Sequence, residues 1–237
     1  GVREAAESGG GHVTIVKTAP ELGHKGLSLC FLPLKEQPGV SVTVSRQMGR
    51  EGISNGFIRI KDAEIPAHYL IGEWNRGFYY AMEGFNCART MVAAACIGAA
   101  GKVLEAGVDR LKKRKVFGTP IGKYQGIQFQ LAEHHAKLES ARLLVYKAAW
   151  MLDQFYAGKP LDTGEINAAV AAAKLTAPTV AFDLIKDVMM WHGAYGYTKE
   201  AGIEKGLRGV ASYMVGAEGT MNIMKLIIAR ALLGRDF

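Results

Sequence analysis

The sequence predicts an α+β fold, mainly α: part of an antiparallel sheet or barrel over residues 1–74, then a helical bundle over residues 75–237. Three observations carry this. From Gly11 to about Leu70, short runs rich in β-branched and large apolar residues are separated by turns rich in Gly, Pro and Glu. After "LIGEWNRG" the apolar period changes from two to about 3.6. With 237 residues and 49% hydrophobic composition, the chain can bury one large core or two modest ones.

The strands follow in order as "HVTIVKT", "LSLCFLPL", "VSVTVSR" and "GFIRIKDAEI", with hairpin-length connections, and the residues before them read as loop. The first helix is expected from about Phe78 to Val116, with a buried stripe of Val92, Ala95, Ala99, Val103 and Ala106. Gly118 and Pro120 stop it. A second helix covers about Tyr124 to Tyr156. Its Leu138, Ala141, Val145, Ala148 and Leu152 form the seam of an antiparallel bundle. After the loop "YAGKPLDTGE" a third helix is expected from Gly164 to Trp191, kinked at Pro178. Residues Lys199 to Met214 and Met221 to Leu233 give two more.

Composition narrows the function. The formal charge of +7 is spread along the helices, and "RLKKRK" (Arg110 to Lys115) closes a helix, where cations complement free carbonyls. No basic stripe with stacking residues marks a nucleic-acid surface, so an anionic ligand fits better. Cys30, Cys87 and Cys96 lack CxxC spacing and read as reduced thiols of a cytosol-like compartment. The six histidines show no metal-ligand spacing, and the adjacent His134 and His135 diverge on a helix. There is no signal-peptide pattern, and "MVAAACIGAA" is too short to span a bilayer. The opening on Gly1 suits a processed, split or fragmentary chain.

Four places could carry chemistry. Glu218, between Ala217 and Gly219, precedes a helix that Thr220 can cap. It is either a solvated acid favoured by the helix dipole or, facing a dry cleft, a proton acceptor. Arg114 heads "RKVFGTPIGKYQGIQFQLAE" and either holds a phosphate or belongs to a solvated basic face. In "MWHGAYGY" (Met190 to Tyr197) the glycines read as a helix cap and turn, and His192 as a packed or capping residue. Arg89, in "FNCART", has a structural salt bridge as its default explanation.

The order of these pieces resembles the acyl-CoA dehydrogenase family. "PGVSV", "MGREG", "IRIKDAEIPAHYLIGEWNRGFYYAMEGFNCART", "RKVFGTPIGKYQGIQFQLAE", "HGAYGY" and "AEGTMNIMKLIIARALLG" run across nearly the whole chain in the family's sequence. The resemblance implies a partial antiparallel β-barrel followed by a C-terminal up-down four-helix bundle with an extra helix. It implies FAD and an acyl-CoA substrate, with Glu218 as acceptor of the α-proton and hydride transfer to the flavin. Arg114, Phe117, Tyr124 and Gln125 match the segment that reaches the FAD of a neighbouring subunit, Gly193 the adenine loop, and Thr220 and Asn222 positions at the flavin. Phe85, Asn86, Arg89, Gly219 and Arg230 match the substrate side. A homo-oligomer (dimer or tetramer) follows, with an electron-transfer flavoprotein as electron acceptor. A cytoplasmic or mitochondrial-matrix location follows too, with no nucleic acid and no membrane span. Departures from the family pattern are Met190 and "GAYG" in the adenine loop, Asn86 in place of an acid, and Ala217 in place of an aromatic, which suggests a roomier acyl site. The family's N-terminal helical domain and early barrel strands have no counterpart here. The rival readings are a non-catalytic helical assembly module and a flavin-dependent oxidase or decarboxylating dehydrogenase.

Overall fold

The strand-like runs pair as antiparallel ladders, although in two sheets rather than one. The computed structural model describes residues 1–50 and 52–234, so Glu51 of the "MGREG" stretch lies outside the described residues. The chain divides into two units, Gly1–Phe85 and Asn86–Phe237.

In the first unit, β1 (Gly11–Lys17) pairs with β2 (Leu27–Pro33), from Gly11 opposite Pro33 to Lys17 opposite Leu27. The other edge of β2 takes β5 (Leu70–Ile71). A separate ladder joins β3 (Val40–Ser45) to β4 (Asn55–Ile60). Residues 28–30 of β2 are buried without alternation, which suits a strand flanked on both edges. Ser28 tolerates full burial because its hydroxyl meets Thr18 Oγ1 at 2.7 Å and accepts from the Asn75 amide at 2.8 Å. The opening residues, expected as loop, form α1 (Val2–Ser8) instead. "VREAAES" is rich in helix formers, and the Val2 amide and Glu4 carboxylate both bond Ser54.

The helices fall close to their expected places: α2 (Gly77–Lys113), α3 (Gln125–Tyr156), α4 (Thr163–His192), α5 (Ile203–Val215) and α6 (Met221–Leu233). The division between units falls within α2. In the second unit α4 is the central element, packed on α3, α5 and α6. It begins as its sequence dictates, for the Asp162 side chain accepts from the Glu165 amide at 2.9 Å and Glu165 adds charge to the first turn. It runs on through Pro178 as one helix. The expected α3 seam is the observed one, since Leu138, Ala141, Val145, Ala148 and Leu152 are all buried.

The α2 stripe is displaced by about one position. Ala93, Cys96, Ile97, Ala100, Leu104 and Leu111 are buried, while Ala95 and Ala106 are exposed. Alanine on both faces gives this helix almost no apolar contrast, so periodicity alone misplaces its buried side. For the same reason α2 and the stretch Thr163–Tyr197 are long and apolar enough, by composition, to cross a membrane. The buried residues of α4 recur at spacings of three and four and face other helices, as in a bundle core.

Polar ties between helices are few and specific. His134 of α3, buried as its neighbour His135 is not, meets Asp187 of α4 at 2.8 Å. Close by, the Trp191 indole donates to Gln130 Oε1 at 3.1 Å.

Candidate functional site

Between α5 and α6 the chain turns through Gly216–Thr220 with three successive positive φ angles: Ala217 at 55°, Glu218 at 62° and Gly219 at 119°. Only glycine takes such values freely, and each of the other two costs on the order of 1–2 kcal/mol. The loop holds them through its carbonyls. Arg89 of α2 donates from Nε to Glu218 O at 2.8 Å. Lys174 of α4 donates from Nζ to Gly216 O at 3.0 Å, and to Gly219 O. Thr220 sits at the N-cap of α6, but its hydroxyl makes no capping bond.

Both cations are buried, Lys174 completely. Burial pulls the Arg89 guanidinium below its ordinary value, and Glu218 opposes this. Burial also lowers Lys174, helped by Arg89 and opposed by Glu218 and Cys96. Glu218 itself is half-buried, and its Oε2 is shielded from solvent with no hydrogen-bond partner. A shielded carboxylate oxygen left unpaired is unusual in a stable structure and calls for an explanation. Arg89 Nη1 also reaches Asn86 Oδ1 at 3.4 Å, and Asn86 donates to Asn167 of α4 at 2.7 Å.

The Cys96 thiol gives a measurable sign to this neighbourhood. Burial raises it from 9.0 to about 12, with Lys174 opposing. The folded chain keeps the proton where the unfolded chain has released it. Stability is therefore full below about pH 9 and falls as pH rises toward 12. By about pH 11, Cys96→Ala is expected to have escaped an alkaline loss on the order of 2 kcal/mol that the wild type suffers. Urea unfolding across that range checks it; parallel losses in both proteins would contradict it.

A second constellation lies at the ends of α2 and α4. After α2, residues Lys115–Val116 (β6) and Thr119–Pro120 (β7) form a small hairpin. Its turn residues, Phe117 at φ 50° and Gly118 at 78°, both take the left-handed conformation that such two-residue turns require. The hairpin is tied down by the Tyr124 hydroxyl, which donates to Val116 O at 3.0 Å. The Phe117 ring is 96% exposed, a costly way to display an aromatic unless something covers it. Beside it a cavity of about 740 Å³ is lined by Arg110, Arg114, Phe117, Tyr124, Trp191 and Gly193, among others. Gly193 (φ 63°) ends α4, and Arg110 donates to the neighbouring carbonyl of His192 at 3.4 Å, leaving its buried Nε unpaired. Two arginines and aromatic walls suit an anionic, ring-bearing ligand.

The residues singled out from sequence thus fall into two groups. Arg114, Phe117, Tyr124 and Gly193 line the cavity; Gln125, the first residue of α3, is exposed and does not. Glu218, Gly219, Thr220, Arg89 and Asn86 gather at the strained loop. Asn222 is exposed in the first turn of α6, and Arg230 is exposed in its last turn, at the far end from Glu218. Phe85 is the last residue of the first unit. Arg89, whose default explanation is a structural salt bridge, also clamps a carbonyl. Sequence reasoning passed over Lys174, Arg110 and Asn167. Lys174 had left a signal, a single charge inside the apolar run "AAVAAAKLTAPTVAF". Among the described residues no group of three or more His, Cys, Asp or Glu could hold a metal ion.

The chain is similar to known proteins along most of its length. A family model described as "Acyl-CoA dehydrogenase, C-terminal domain" matches residues 75–233. An acyl-CoA dehydrogenase of Bacillus subtilis is 35% identical over 224 residues, covering 94% of this chain and 56% of the relative. A chain in a solved structure described as "Electron transferring flavoprotein of Acidaminococcus fermentans" is 32% identical with a TM-score of 0.86. That match covers 96% of this chain and 58% of the other. Butyryl-CoA dehydrogenase from Megasphaera elsdenii superposes with a TM-score of 0.84 at 29% identity, over 94% of this chain and 56% of its own. The chain spans about half the length of the curated relatives it matches.

Proposed function

Because the chain belongs to the acyl-CoA dehydrogenase family, we propose that it serves the FAD-dependent α,β-desaturation of an acyl-CoA thioester, with Glu218 as acceptor of the α-proton. One observation carries the reading: a carboxylate oxygen, Glu218 Oε2, is withdrawn from water and left without a partner on a loop fixed by two buried cations. A thioester α-proton is weakly acidic. Its removal needs a base that is dry, correctly aimed and not engaged in a competing hydrogen bond.

The residues present fit FAD. Arg114 and Arg110, with its unpaired Nε, would meet a pyrophosphate, while Phe117, Tyr124 and Trp191 would flank rings. FAD supplies the acceptor for the β-hydrogen, which leaves as hydride. This chain's residues then have three tasks: hold the cofactor's charged middle, exclude water from Glu218, and receive the α-proton on its carboxylate. Thr220 and Asn222, at the start of α6, would border the flavin end. Ala217, small where the family commonly has an aromatic, favours a roomy acyl site. The bare Phe117 supports a homo-oligomer in which this hairpin reaches a second subunit. The likeness to the Acidaminococcus chain favours an electron-transfer flavoprotein as the acceptor. We place the domain boundary at residues 74 and 75, ahead of α2.

Anaerobic mixing of the FAD-loaded, full-length protein with straight-chain, branched and aromatic acyl-CoA thioesters tests this. At least one should bleach the oxidised flavin and yield the 2-enoyl product. Flavin that stays oxidised with the whole panel would sink the proposal.

A further inference from the structure

We propose that Lys174 is a positioning residue for Glu218: its ammonium clamps the loop carbonyls on either side of the Ala217–Glu218 pair and so fixes where the carboxylate points. The inference rests on Glu218 being the base.

A lysine inside a helical core needs a reason. Lys side chains ordinarily carry their charge to the surface, whereas Lys174 is fully buried. Its neighbours on the helix, Ala171, Ala173 and Ala177, are also fully buried, so the site is apolar on its own element. Desolvating an ammonium costs several kcal/mol, and an apolar residue of similar length would fill the space more cheaply. What the ammonium supplies is a pair of hydrogen bonds to Gly216 O and Gly219 O. Those two carbonyls bracket the two non-glycine residues held at positive φ. Arg89 holds the carbonyl between them, that of Glu218.

Three consecutive left-handed residues have many more relaxed alternatives, and relaxation would swing the Glu218 side chain away from its present direction. Arg89 alone fixes one peptide oxygen and leaves rotation about it open. Adding Lys174 fixes both flanks, so the loop cannot turn without breaking a buried, charge-assisted hydrogen bond. The titratable groups near Lys174 are Arg89, Glu218 and Cys96. Among the described residues none makes a direct ion pair with it, and its hydrogen bonds go to the loop backbone.

The test isolates proton abstraction from oxidation. An acyl-CoA whose β-carbon is quaternary cannot lose a β-hydrogen, yet its α-protons still exchange with solvent deuterium when a base reaches them. Exchange is followed by mass spectrometry in the FAD-loaded, full-length protein at saturating ligand. Lys174→Met, similar in length and without charge, should slow exchange on the order of 100-fold, as a displacement of about 1 Å in a reacting group does. Affinity for the thioester should stay within about threefold, because only the aim of the base has changed. Lys174→Gln, whose amide can serve one carbonyl, should fall between the two and covers the case in which Lys174→Met does not fold. Wild-type exchange in either variant, or a loss wholly in affinity, overturns the inference. A purely structural lysine would lower thermal stability and leave exchange per folded, liganded molecule unchanged. Glu218→Gln is the control that separates the two claims. If that variant still exchanges at the wild-type rate, the assignment of the base fails. If it does not exchange and Lys174→Met exchanges at the wild-type rate, only the role of Lys174 fails.

Discussion

Glu218→Gln in the FAD-loaded, full-length protein is expected to slow flavin reduction by acyl-CoA by about 10³–10⁴-fold, near the upper range of what a positioned general base contributes. The amide keeps the volume and the shape of the carboxylate, and the backbone bonds to the loop come from carbonyls that the substitution does not touch. Flavin content and thioester affinity should therefore hold while kcat falls. Loss of kcat with KM unchanged is the signature of a group needed in the transition state and not in binding. Glu218→Asp should recover only part of the rate, since the shorter side chain withdraws the carboxylate by about one bond length from a loop that cannot follow it. Stopped-flow reduction with an α-deuterated substrate completes the test. Reduction of Glu218→Gln at the wild-type rate would remove Glu218 from the mechanism, whatever the fold resembles.

How far this site could be read in advance depended on which forces built each part of it. Runs with a strong period declared themselves. Every expected α3 seam residue is buried, with His134 and Met151 beside them, because Leu138, Val145 and Leu152 contrast sharply with the charged positions between them. In α2 that contrast is missing, and the buried face was expected about one position away from where Ala93, Cys96 and Ala100 place it. Turn chemistry was legible where glycine demanded it, as at Gly118 and Gly193. At Ala217 and Glu218 it was not, since neither residue advertises a left-handed backbone. The reason for their conformation lies far off in sequence, in Arg89 and Lys174, and no local pattern carries it. The same holds for the sheets. Each strand was visible, but the pairing of β2 with the two-residue β5 joins segments about forty residues apart. Residue identity suggested Glu218 as a candidate. Only tertiary structure shows that one of its oxygens is buried without a partner.

Leu184→Ala is expected to destabilise the helical unit by about 3 kcal/mol, lowering its thermal midpoint by roughly 6–12 °C. The buried residues of α4 occupy two adjoining stripes because helices pack on it from several sides. Leu184 and Ile185 are both fully buried there, one in each stripe. Truncating Leu184 removes three carbon atoms from a packed interior and leaves a cavity that rigid neighbouring helices fill only in part. Ile185→Val removes one methyl group from the adjoining stripe and should cost about 1 kcal/mol. The ratio matters more than either value, since a close-packed core makes the loss scale with the atoms removed. A core that is loosely packed around α4 would collapse onto both sites and give two small, similar losses. Urea and thermal unfolding followed by helical circular dichroism distinguish these outcomes. Equal and minor shifts in the two variants would mean that α4 is not the packed hub described here. The anchoring of Lys174 on that helix would then lose its rigid base, because a clamp can aim a carboxylate only if the helix that carries it does not yield.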